Sequence, residues 1–61
     1  MERTEFIEVM KAYVEKLNNE RVEVKNLLKN EPDNYNLHHI ASKIGHEISA
    51  IENAIREMQR Q

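Results

Sequence analysis

A chain of 61 residues holds one domain at most, and at this length the core it can bury is too small to be secure alone. The absence of cysteine excludes disulfide staples and cysteine-based zinc sites. A formal net charge of −2, with both signs interleaved along the chain, excludes the basic footprint of a general DNA-binding protein.

At the N-terminus, Met1-Glu2-Arg3-Thr4-Glu5 leads into no apolar signal core, so a cytoplasmic protein is the expectation. Uninterrupted apolar runs never exceed three residues, too few for a membrane-spanning helix. One glycine and one proline in the whole chain argue against a turn-rich β fold. The composition therefore predicts an all-α protein with no membrane partner, and speaks against a nucleic-acid one.

The first predicted helix covers about residues 4–30, with Thr4 as its expected cap. Apolar residues recur on it at Ile7, Met10, Val14, Leu17, Val24 and Leu28. The spacing alternates three and four, which is the heptad pattern of helices wound together at shallow angles. Arg21 fills the one missing step.

The only strong breaker follows at Asn30-Glu31-Pro32-Asp33-Asn34. Proline lacks an N–H and pushes the preceding residue out of the α region, so the first helix ends near Asn30 and a turn occupies about 31–33. Asp33 or Asn34 is expected to cap the second helix, about residues 34–59. That helix repeats the pattern at Leu37, Ala41, Ile44, Ile48, Ile51, Ile55 and Met58.

The two seams match. When the chain folds back at Pro32, facing residues have numbers of constant sum: Leu28 meets Leu37, Val24 meets Ala41, Arg21 meets Ile44 and Leu17 meets Ile48. Val14 then meets Ile51, Met10 meets Ile55 and Ile7 meets Met58. The expected architecture is a two-helix antiparallel hairpin of residues 1–61. A further apolar stripe runs beside each seam, through Phe6, Tyr13 and Leu27 on the first helix and Ile40 and Ala54 on the second. Faces this wide suit a bundle, so two hairpins are expected to dimerise into four helices, with Ile40 joining the core.

Three polar features bear on function. Arg21 interrupts the seam, and Gly45 and Glu47 lie near its level. Its long stem is expected to pack while its head reaches water. The alternative is a pairing-specificity device in which Glu47 or Glu20 holds the guanidinium. His38, His39 and His46 form no metal pair, because His39 and His46 are separated by about 10 Å along a helix. Ser42 and Ser49 have no nucleophile context. No catalytic residue, cofactor or metal is expected.

The run Ser42-Lys43-Ile44-Gly45-His46 is the nearest equivalent to the Ser-x-x-x-Asp that small sporulation-type phosphatases carry on their second helix. Histidine stands where the aspartate belongs, so that activity is not implied. The plan is similar to that of Rop, a plasmid RNA-binding hairpin dimer, and of the hairpin co-chaperones of type III secretion needles. These likenesses are architectural.

The expected function is a small non-enzymatic adaptor or regulator that binds another protein through a helical face. Val9 and Val22, which the seam does not need, are candidate partner residues. The alternative is a Rop-like RNA-binding dimer using Lys11, Asn18 and Lys25, one heptad apart, although Glu15 and Glu23 interleave with them.

Overall fold

The computed structural model describes residues 2–61, which form two helices, α1 (Arg3–Asn30) and α2 (Tyr35–Arg60), packed on each other as a hairpin. At 1.5 Å rise per residue the 28 residues of α1 span about 42 Å. The molecule is a rod of 44 × 15 × 14 Å.

α1 starts one residue earlier than the sequence reading places it. Its N-cap is Glu2, whose carbonyl accepts from the Phe6 N–H at 2.9 Å and whose side chain makes no capping bond. Thr4 therefore lies inside the helix and does not cap it. No breaker precedes Thr4, and Glu5 in the first turn complements the positive end of the helix dipole.

The reversal is closed by short-range bonds. The Glu31 N–H donates to the Leu27 carbonyl at 3.1 Å, and the Asn34 N–H donates to the Glu31 carbonyl at 3.0 Å. Asn34 is the N-cap of α2: its Oδ1 accepts from the Leu37 N–H at 3.1 Å, while its Nδ2 donates to Glu31 Oε1 at 3.1 Å. His38 Nε2 sits 2.8 Å from the Pro32 carbonyl oxygen.

The core consists of Ile7, Val14 and Leu17 from α1 and Ile48 and Ile55 from α2, with Met10, Ile44, Ile51 and Met58 packed around them. Complete burial of an aliphatic side chain contributes about 1.5–3 kcal/mol. Burial is uneven along the rod. The five buried residues run from mid-rod, at Leu17 and Ile48, to the open end, whereas Val24, Leu28, Leu37 and Ala41, next to the turn, are only half-buried. No helix among the described residues is long and apolar enough to cross a membrane.

Candidate functional site

The hairpin has two long flanks, one on each side of the seam, and they differ in character. In heptad terms the extra apolar stripes are the positions just before Ile7, Val14 and Leu28 on α1 and just before Ala41, Ile48 and Ile55 on α2. In an antiparallel pair those positions line the same side of the seam. One bond bears this out: the Tyr13 hydroxyl donates to Glu47 Oε1 at 3.0 Å, bridging the two stripes.

This flank is apolar and open. Phe6, Tyr13, Leu27 and Ile40 are 39%, 38%, 50% and 44% exposed. Ala50 and Ala54 are exposed on α2. Ile40, expected in the core, thus lies outside the core of the single hairpin, because seven-residue spacing sets it beside the seam and not on it. Val9 borders Phe6 on the same side. Val22, 55% exposed, lies on a different side of α1 roughly 20 Å away along the helix, so the two valines do not form one patch.

The polar groups of the flank are Glu20 and Glu47, with Lys16 and Lys43 at its border, all exposed. The phenol of Tyr13 is held above its ordinary pKa of 10.0, first by its hydrogen bond to Glu47 and then by the repulsion a phenolate would feel from the same carboxylate. Slight burial and the charge of Glu20 act in the same direction.

Arg21 turns to the opposite flank. Its Nη2 donates to Asn18 Oδ1 at 3.3 Å, and its Nη1 would stand 3.8 Å from a Cβ placed on Gly45. The guanidinium thus lies beside Gly45 and leaves room for a Cβ there. Glu47 and Glu20 lie on the other side and do not hold it. The only ion pairs among the described residues are Lys11–Glu8 at 3.9 Å and Arg60–Glu57 at 3.3 Å, both local to one helix. The specificity pair of Arg21 with Glu47 is therefore not formed within one chain. Asn18, three residues before Arg21, is the partner that sequence reasoning missed; the i,i+3 spacing was its signal.

The same flank has a shallow depression of about 220 Å³ lined by Lys11, Val14, Glu52, Ile55 and Arg56. It contains no nucleophile set beside a base. The predicted RNA-facing stripe is partly self-satisfied, since Lys11 leans on Glu8 and Asn18 accepts from Arg21. Of the histidines, His38 fastens the turn and His39 stacks on Tyr35 with ring centroids 6.5 Å apart. Among the described residues no group of three metal-ligating side chains gathers.

Comparison of the chain with protein-family models, with curated proteins and with solved structures found no match.

Proposed function

We propose that the protein is a non-catalytic interaction module: a helical hairpin that pairs with a second copy into a four-helix bundle and serves as a small adaptor or regulator for another protein. The observation that carries this reading is the apolar flank. Phe6, Tyr13, Leu27 and Ile40 lie along one side of the rod, more than a third exposed. Large apolar side chains exposed along one side of a small rod mark an interaction site more often than scattered exposed residues do.

The size of the core supports the same reading. Among the described residues five apolar side chains are buried and no large one is completely sealed. A two-helix chain this small gains the remainder of its stability from association.

Sedimentation equilibrium with concentration-dependent melting tests the proposal. The expected result is a dimer whose Tm rises with concentration. Leu27→Glu sets a charge on an exposed position and leaves the seam intact, so it should yield a helical monomer. A wild-type chain that remains monomeric at high micromolar concentration overturns the self-pairing.

A further inference from the structure

We propose that the apolar flank is covered by a second copy of this chain laid face to face with its turn at the same end, so that α1 of each copy lies over α2 of the other. The inference rests on the self-pairing proposed above and specifies its geometry. Surface area, side-chain size and charge each bear on it.

The area fits. A compact monomer of this mass exposes about 4200 Å². The hairpin exposes 4822 Å². The surplus, roughly 600 Å² by the same scaling, belongs to a rod of 44 × 15 × 14 Å. One long side of that rod presents about as much surface, close to the ~800 Å² each partner contributes to a standard specific interface.

Side-chain sizes are complementary in this arrangement. The constant-sum register gives every α2 residue a height along the rod in terms of α1. With both turns at one end, heights are preserved across the interface. Tyr13 of one copy then stands between the heights of Ala50 and Ala54 of the other, a ring over two small exposed side chains. Leu27 comes opposite Ile40, joining the two large aliphatic residues of the stripes beside the seam, 50% and 44% exposed.

Charge matches and mismatches offset one another. Lys16 of one copy comes within two residues of the height of Glu47 of the other, and Glu20 within two of Lys43, while Glu20 and Glu47 of opposite copies face each other at the same offset. All four side chains are exposed in the single hairpin and available for these contacts. The inverted arrangement, with the turns at opposite ends and the two-fold axis at mid-rod, sets Tyr13 against Glu20 and Ile40 against Glu57. That geometry leaves Ile40 against a charge and places a second carboxylate on a phenol that already has one. In both arrangements every helix is antiparallel to its neighbours, so the dipoles do not decide between them. The side-chain pattern does.

The natural absence of cysteine makes a direct test clean. Leu27→Cys and Ile40→Cys are made as two separate chains, one of them tagged, mixed, re-equilibrated and treated with a short bifunctional thiol reagent. Crosslinking between the two different chains is expected. Phe6→Cys chains mixed with Leu27→Cys chains are expected not to crosslink. Crosslinking of Phe6→Cys to Leu27→Cys chains, with no Leu27→Cys to Ile40→Cys product, overturns the geometry while leaving the self-pairing intact. A wild-type dimer giving neither product overturns the flank as the interface, and a wild-type monomer overturns the self-pairing itself. A charge swap provides a second measurement. Lys16→Glu should weaken association about tenfold, since two copies of the pair are reversed. Adding Glu47→Lys in the same chain should recover most of that loss. Lack of recovery contradicts the proposed facing of Lys16 and Glu47.

Discussion

Tyr13 and Glu47, thirty-four residues apart, are joined by a 3.0 Å hydrogen bond that crosses from α1 to α2 on the open flank. The bond needs a protonated phenol. It therefore stabilises the hairpin fully below the ordinary tyrosine pKa of 10.0 and is lost as pH rises through the elevated folded value. Tyr13→Phe should melt slightly below wild type at neutral pH. The two melting curves should converge at strongly alkaline pH, where the wild-type phenol ionises. Thermal melts of both chains from neutrality to about pH 11 check the sign; a gap that widens above pH 10 contradicts it.

Leu17 and Ile48, each 5% exposed, are the most deeply buried side chains named in the core. Leu17→Ala or Ile48→Ala should cost about 2–5 kcal/mol, enough to unfold a scaffold of this size. His39→Ala removes only an exposed stacking partner of Tyr35 and should barely shift the melt. Circular dichroism in a urea titration separates the two classes.

Arg21 and Gly45 should both be improvable. A Cβ at Gly45 meets only the far end of the flexible Arg21 side chain, at 3.8 Å. Gly45→Ala should therefore add close to the full glycine-to-alanine difference in helix propensity, about 1 kcal/mol. Arg21→Leu should also raise the Tm by extending the seam, because no carboxylate is left without its partner. Melts of Arg21→Leu, Glu47→Gln and the double mutant should add within error. Strong coupling between them would mean that the two residues meet in the assembled protein.

Asn34 contributes at two points of the turn, as the cap on Leu37 and as a donor to Glu31. Asn34→Ala should cost about 1 kcal/mol. Asn34→Asp keeps the cap and loses the donor, so its melt should fall between the two.

Hydrophobic periodicity carries the two helices and the side of each that meets the other, because burial repeats along the whole length and averages over local detail. Pro32 places the reversal for an equally general reason, its missing N–H. Side-chain partners are a different kind of question. Arg21 had acids within sequence reach on one side and Asn18 on the other, and it takes the side of Asn18 and Gly45. Thr4 resembled a cap only because the helix was assumed to begin there. Ile40 reads as core in a pattern that counts apolar residues and does not ask how many helices one chain supplies. His38 reaches back to Pro32 through turn geometry that no periodicity encodes.

The uneven core has a mechanical consequence. The covalent link restrains the rod at the turn, where Val24, Leu28, Leu37 and Ala41 are only half-buried. The tight aliphatic cluster restrains it from mid-rod toward the other end, where the two termini would otherwise fray. The rod is thus fastened at both ends by unlike means, and each makes the other less critical. Lengthening the connection should cost little, about 0.6 kcal/mol per doubling, because the distant cluster still holds the helices together. Amide exchange should be fastest in the last turn of α1 and the first turn of α2 beside that connection, and slowest around Val14 and Ile48, so that local opening spreads from the closed end of the hairpin toward its free one.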